Sequence, residues 1–525
     1  MTRLDFLWLL VVGVASSAWC LTAGRELGAT FDEPFYVAKG LEAWRTGSHR
    51  ALMRAGTMPM PVDVQTLPLH VWERVRGEPF DPVSDLPKLL PVARGMNLVF
   101  WWPLLVYVGL LGRLWGGAWA GRLAVGLVGC EPNLLAHASL ATTDIALTAG
   151  VLAAVYHFAV GRGGTWRKRV LIPGVAAGLA VACKASAITF VPLGWLVLAP
   201  PRSRSGFADW LLIALVAAVV LFAYCGSDWA VEPSFVKWAD ALPDGSVADA
   251  MRFTADHLRI FPNAGEGIVQ QIKHNMRGHG SYALGEYHPR AVWYYFPVVL
   301  SEKLPEPLLL TLAGLLIMWP RTLLNPAGRI AAAYLLFSLT CRVQIGIRLV
   351  FPLVVMLNVA AAVALSHALH VGSRLTRVIV AVVLLVSLLL ALIAWPHGLR
   401  HLNRFWGGPN RAPEILTDSN YDWGQGLPEL ARWHTAAGEP TLHVWYYGTD
   451  PAILLPPFHV FQVNQLPEPS VDVVKQRAGG GCFAVGASLL TACPDRRPGT
   501  LAVIGWLKSL RPVARVGTFV VYRLD

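Results

Sequence analysis

Nine apolar runs, each close to the roughly 20 residues that carry a helix across a bilayer, leave this chain little choice but a bundle of membrane-spanning helices. They fall at 6–24, 97–115, 118–136, 141–160, 208–226, 304–320, 327–342, 346–366 and 377–396. A further stretch, 170–199, is equally apolar but is interrupted by Lys184. With 54% hydrophobic and 15% charged residues over 525 positions, the composition excludes an ordinary soluble multidomain enzyme.

The formal charge of +11 would suit nucleic acid or an anionic surface, but its placement says otherwise. With the N-terminus cytoplasmic and 170–199 read as two short helices turning at Lys184, the short inner loops collect Arg113, Arg162, Arg167, Lys168, Arg169, Arg202, Arg204, Arg321, Arg329, Arg374 and Arg377. The short outer turns keep only Lys184, Arg342 and Arg348. That asymmetry is the positive-inside pattern. It predicts a multi-pass plasma-membrane protein of about eleven spans, with no nucleic-acid partner. Cleavage of the first run as a signal peptide would move every later loop to the other face, so that run is read as a span.

Three outer regions are large: about 25–95, 228–303, and everything after 397. The expected division is a transmembrane domain, 1–396, carrying the first two as loops, and an extracytoplasmic C-terminal domain, 397–525. In the latter, 441–448, 457–464, 481–490 and 515–524 read as strands and 427–436 as a short helix, predicting a small α/β fold. Cys482 and Cys493 lie together there and form a candidate disulfide if the compartment is oxidising.

Charged groups at the edge of such a bundle are the candidates for chemistry. Asp32 and Glu33 follow the first run, with Pro34 placed to open a helix; one carboxylate is a candidate base and the other an orienting partner, or both simply belong to a helix cap. Asp144 opens an apolar helix, where a carboxylate needs a partner, solvent or a divalent metal unless it only complements the helix dipole. Lys184, Lys303, Arg342 and Arg348 are cations on the otherwise cation-poor outer side, suited to a phosphate or to snorkelling. The stretch 418–422 has the ligand spacing of a calcium loop, but Trp423 stands where the turn glycine belongs, which leaves Asx-turn chemistry as the simpler account. His274, His279, His397 and His401 show no metal-site spacing.

Several of these segments together resemble the GT-C superfamily of lipid-carrier-dependent glycosyltransferases, kin of protein O-mannosyltransferases and the aminoarabinose transferase of lipid A. They are Asp32-Glu33-x-x-Tyr36, Pro132 to His137 through Thr142-Thr143-Asp144, Lys184-x-Ser186-Ala187, Ser281-Tyr282-x-Leu284-Gly285-Glu286, Trp293 to Pro297, Lys303-x-Pro305, Gly346-Ile347-Arg348 with Pro352, and Asp418 to Gln425. The resemblance implies an inverting transfer from a polyprenyl-phosphate sugar to an acceptor glycan, lipid or protein. Asp32 would be the catalytic carboxylate, and Glu33, Tyr36, Asp144, Lys184, Lys303 and Arg348 would bind substrate. A divalent metal at Asp144 is a further possibility, since metal use varies among such enzymes. Ile347 and Leu349 flank Arg348 where many relatives carry histidine, and no barrel-like lectin domain is present, so the acceptor does not transfer with the resemblance. The competing expectation is a transporter or flippase of a lipid-linked glycan, with Asp32 and Asp144 as proton or cation sites near the midplane.

Overall fold

The computed structural model describes residues 2–200, 204–259, 262–438 and 441–524; Arg202 of the charge pattern lies outside them. Among these residues, six helices are long and apolar enough to cross a membrane: Arg3–Glu26, Leu86–Gly129, Asp144–Gly161, Gly206–Cys225, Ile347–Val371 and Arg374–Ala394. The shorter apolar helices Ala187–Leu198 and Glu306–Met318 accompany them. The chain is a multi-pass membrane protein. Phe351–Val371 is the central helix, its apolar side chains buried nearly all round, whereas Arg374–Ala394 is largely exposed and lies at the periphery. This follows from what each carries: the central helix has small residues, Ala360 to Ala362 and Ala364, that let neighbours approach closely.

Two apolar runs at 97–115 and 118–136 form one element, Leu98–Gly129, folded back on itself at Gly117. Gly117 takes φ 80°, a conformation open to glycine at little cost. Beyond the turn the two arms pack antiparallel with almost no space between them. A Cβ on Gly121 would meet the Gly109 carbonyl oxygen at 2.7 Å, and one on Gly112 the Ala120 carbonyl oxygen at 2.8 Å. The second arm ends at Gly129, short of the expected 136. Pro132 has no amide hydrogen to continue it and instead begins a separate helix, Pro132–Ala138, which Glu131 caps at the Leu134 amide. At the opposite end of the bundle Asp5 binds Arg113 at 2.5 Å and Arg122 at 2.8 Å, fixing the first helix to both arms.

Lys184 breaks 170–199 as expected. It adopts an extended backbone between the helices Ile172–Cys183 and Ala187–Leu198. The region 25–95 is helical, with Glu33–Thr46, Arg50–Arg54, Pro59–Arg76 and Leu86–Met96, and 228–303 contains four further helices and a two-stranded hairpin.

The C-terminal part holds a five-stranded sheet in the order Phe458–Val460, Leu442–Trp445, Gly481–Gly486, Phe519–Leu524, Ala514–Val516. The first three are parallel and the last two antiparallel to their neighbours. Leu427–Ala437 covers one face; Val471–Ala478 and Pro498–Ser509 cover the other. Two strand expectations are corrected. Residues 481–490 leave the sheet at Gly486 and continue as the helix Ala487–Ala492, and 515–524 is a hairpin turning at Gly517, which has φ 59°. The disulfide is corrected as well. Side chains alternate across a strand, so Cys482 packs with Leu442 and Val521 on one face while Cys493 packs with Phe483 and Val485 on the other, and no disulfide joins them.

The close approach at Gly121 makes a test. Gly121→Val should lower stability by about 1–3 kcal/mol, read as a drop in thermal unfolding temperature in detergent. Gly163→Ala, which has open space around its Cβ, should change it little.

Candidate active site

Asp32 and Glu33 are neighbours with opposite fates. Asp32 occupies the cap position of the Glu33–Thr46 helix, yet its carboxylate makes no capping bond. It points instead to Arg348, whose Nη1 lies 3.0 Å from Asp32 Oδ2, and about a quarter of the side chain stays accessible. Glu33 is wholly buried. It accepts two bonds from the Arg94 guanidinium, at 2.8 and 2.6 Å, and others from the Thr30 amide and hydroxyl and from the Ala141 amide. Arg94 spends its remaining donors on the carbonyls of Gly24, Leu27 and Gly28. Burial pushes the Glu33 carboxyl up, but the Arg94 charge and these bonds outweigh it and hold it below the ordinary glutamate value. The expectation that Glu33 binds substrate is corrected: it fastens the end of the first helix to the loop at 141.

Around Asp32 the structure gathers residues from four distant parts of the chain. Asp144 is buried at the start of its helix, and no threonine side chain caps that helix. Lys184 Nζ lies 2.5 Å from Asp144 Oδ1, and Arg348 Nη1 lies 3.6 Å from Oδ2. Arg348 is therefore shared between a buried carboxylate and an accessible one. Its guanidinium also lies over the Trp423 ring, 4.1 Å from the centroid, and its Nε donates to Ser419 Oγ at 3.2 Å. Tyr36 stands one helical turn after Asp32, bonded to Thr57. Burial and the Asp32 charge push its phenol well above the usual range, so it stays neutral beside Asp32.

Lys303 does not join this group. It is fully buried, with Nζ donating to the carbonyls of Leu399 and Asn420 at 2.8 and 2.9 Å. Burial pulls its ammonium down to about 7 against the attraction of Glu131 and Glu302. With two of its donors on backbone carbonyls, Lys303 ties the helix Tyr295–Lys303 to the C-terminal part rather than joining the ion pairs around Asp32, where it was expected as a substrate ligand. Arg342 also lies apart, bonded to the backbone of Met276.

The Asp418–Gln425 stretch, which the sequence leaves without a role, is the clamp on Arg348. Gly346 precedes the turn bearing Arg348 at φ 144°, and a Cβ there would meet Ser419 Oγ at 2.1 Å, so both the backbone and the fit call for glycine. Ser419 Oγ donates to the Ile345 carbonyl, and Asn420 Oδ1 accepts from the Ile347 amide. The calcium spacing is not a calcium site, because the carboxylates are engaged elsewhere. Asp418 accepts from the Ser419 amide and Tyr447 hydroxyl, Asp422 from the Gly424 and Ser488 amides, and Glu429 pairs with Arg400. His137 was not singled out by sequence reasoning. Its ring is buried edge-on against Phe351 and near Trp423, with Nδ1 unpartnered. Sequence offered it only as the last residue of the Pro132 to His137 segment that carries the family resemblance.

Asp144 does not suit a divalent ion. No group of three or more histidine, cysteine or acidic side chains could hold a metal among the described residues, and two cationic side chains already occupy the approaches to its oxygens. Thr142 Oγ1 and Ser186 Oγ, each two residues along the chain from Asp144 and Lys184 respectively, have no hydrogen-bond partner, and Asp144 Oδ2 has only the 3.6 Å approach of Arg348.

No family model and no curated protein matches the chain. Its structure is similar to that of ArnT from Cupriavidus metallidurans bound to undecaprenyl phosphate, at 15% identity and a TM-score of 0.47 over 98% of this chain and 97% of that one. It is also similar to the Archaeoglobus fulgidus oligosaccharyltransferase, at 13% identity and a TM-score of 0.43, covering 74% of this chain and 56% of that one. A second structure of that enzyme, AglB in complex with an inhibitory peptide and a dolichol-phosphate, matches at 14% identity and a TM-score of 0.41, with the same coverage.

Two outcomes check these assignments. Glu33→Gln leaves Arg94 as an uncompensated buried charge and should cost about 3–5 kcal/mol of stability, read by thermal unfolding. Burial pushes the Asp422 carboxyl from 3.8 up to about 7. A carboxyl raised in the folded state contributes stability that is complete below the unfolded value and is lost as pH rises through the folded one. Wild type should therefore lose stability relative to Asp422→Asn between about pH 4 and 7, with the difference level above that.

Proposed function

We propose that this protein is an inverting glycosyltransferase that moves a sugar from a polyprenyl-phosphate carrier to an acceptor hydroxyl at the extracytoplasmic face of the plasma membrane. The observation that carries the reading is the meeting of Asp32, Asp144, Lys184 and Arg348 at one end of the bundle. An acceptor hydroxyl is a weak nucleophile and gains from a base; Asp32, the accessible carboxylate, takes its proton as the oxygen attacks the anomeric carbon. The bond from that carbon to the phosphate oxygen breaks with its electron pair leaving on the phosphate. The leaving group is already anionic and needs positive charge more than an acid. Lys184 and Arg348 supply it.

Asp144 has a different part. It pins both cations in place, so that a lipid phosphate meets a formed site, and it withholds enough of their charge to keep them buried without a ligand. As the phosphate engages Arg348, that side chain loosens its hold on Asp32, which frees the base at the moment it is needed. In this reading the topology is the eleven-span GT-C type. The cytoplasmic N-terminus and the extracytoplasmic 397–525 domain place the carboxylates at one membrane face, where an enzyme needs them and a midplane transport site does not.

With purified protein and a polyprenyl-phosphate hexose, wild type should transfer or slowly hydrolyse the sugar. Asp32→Asn should lower turnover by roughly 10²- to 10⁴-fold with donor binding and unfolding temperature kept; equal turnover removes Asp32 from the mechanism. Arg348→Ala should weaken donor binding more than acceptor binding, and an unchanged donor affinity would refute its phosphate role.

A further inference from the structure

Beside the clamp, on the side of Tyr421, lies a cavity of about 400 Å³ that the proposed reaction does not use. Its floor is apolar: Leu390, Ile393 and Ala394 at the end of the peripheral helix nearest Asp32. Its walls carry Arg400, Arg404 and Arg515 together with Glu306, His397 and His401. Tyr421 is a shared partition, two residues from each of Ser419 and Trp423, which grip Arg348.

Three buried polar atoms around this cavity have no hydrogen-bond partner: Glu306 Oε2, His397 Nδ1 and His401 Nε2. Buried polar groups are normally satisfied, and His401 is more than nine-tenths buried. Their other atoms are occupied in ways that fix what remains. Glu306 Oε1 accepts from the Arg404 amide at 2.7 Å, leaving Oε2 as an acceptor. His397 Nε2 faces Glu429 at 3.4 Å, so its proton belongs there and Nδ1 is left to accept. Among the cations, Arg400 is paired with Glu429 at 3.1 Å and Arg515 only loosely with Glu414 at 3.9 Å. The Arg404 guanidinium has no hydrogen bond or ion pair among the described residues.

The site thus offers guanidinium donors and carboxylate and imidazole acceptors above an apolar floor. That floor continues into a lipid-facing helix whose Leu389, Leu392 and Ile393 are exposed. Trp395, partly exposed and bonded to Thr22, marks the level of the membrane–water interface. A ligand matching this needs an anion, a hydrogen-bond donor close to it, and an apolar tail.

We propose that the cavity binds the phosphodiester headgroup of a membrane lipid, its phosphate on Arg404, Arg515 and Arg400 and its terminal ammonium or hydroxyl on Glu306 and His397. Guanidinium recognises phosphate through paired N–H donors. The acceptors select for a headgroup that carries a donor, which ethanolamine and glycerol do and choline does not. The lipid comes from the surrounding leaflet.

The full-length protein, equilibrated in mixed micelles with equal amounts of phosphatidylethanolamine, phosphatidylglycerol, phosphatidylcholine and phosphatidic acid, would be examined by native mass spectrometry. The ethanolamine and glycerol lipids should be retained over the other two by roughly fivefold or more. The double variant Arg404→Ala/Arg515→Ala, both exposed positions, should lower retention of all four, and Glu306→Gln should abolish the preference for donor-bearing headgroups while leaving total retention in place. Equal retention of the four lipids by wild type, or no change in the double variant, would overturn the site.

Discussion

One guanidinium, that of Arg348, answers to two carboxylates of unequal accessibility, and much of the architecture around it serves to keep it there. A buried charge costs several kcal/mol unless its partners are well placed. Asp144 supplies the buried counter-charge, Asp32 the accessible one, Trp423 a π face and Ser419 an acceptor. These belong to the start of one membrane helix, the loop after another, and a segment some seventy residues beyond the arginine. Each must dock for the charge to be tolerated, so the ion pairs act as a specification of tertiary structure. Lys184, held to Asp144 from the tip of its helical hairpin, extends the same requirement to a fourth element.

The sheet domain enters this network through the clamp. Tyr447, at the end of the strand Leu442–Trp445, bonds Asp418, and Ser488, just past Gly481–Gly486, bonds Asp422 through both its amide and its hydroxyl. The strand ends thus hold the stretch that holds Arg348. Lys303 adds a fastening from the membrane side by bonding the carbonyls of Leu399 and Asn420. The sheet-bearing C-terminal part therefore sets the position of a side chain at the bundle's rim.

The residues that meet at the rim were legible because each breaks a pattern: Lys184 and Arg348 as cations on the side that positive charge avoids, Asp144 as an acid opening an apolar helix. What was hidden depended on partners that spacing does not reveal. Asp32 and Glu33 look alike until Arg94, 61 residues later, reaches Glu33. Lys303 reads as a free cation because its partners are backbone carbonyls, which every residue has. Cys482 and Cys493 look adjacent until strand alternation sends them to opposite faces of one sheet. The eight-residue clamp could be seen as a pattern but not as a clamp, since its purpose lies in Gly346, whose missing side chain makes room for Ser419.

The hairpin carrying Lys184 has a consequence for the membrane itself. Its descending arm, Ala187–Leu198, has 12 residues and rises only about 18 Å, well below the ~30 Å of a typical hydrocarbon core. Bilayers meet so short a segment by thinning locally. Headgroups beside this protein would then sink toward the ammonium at the hairpin tip, bringing lipid phosphates to the level of Lys184.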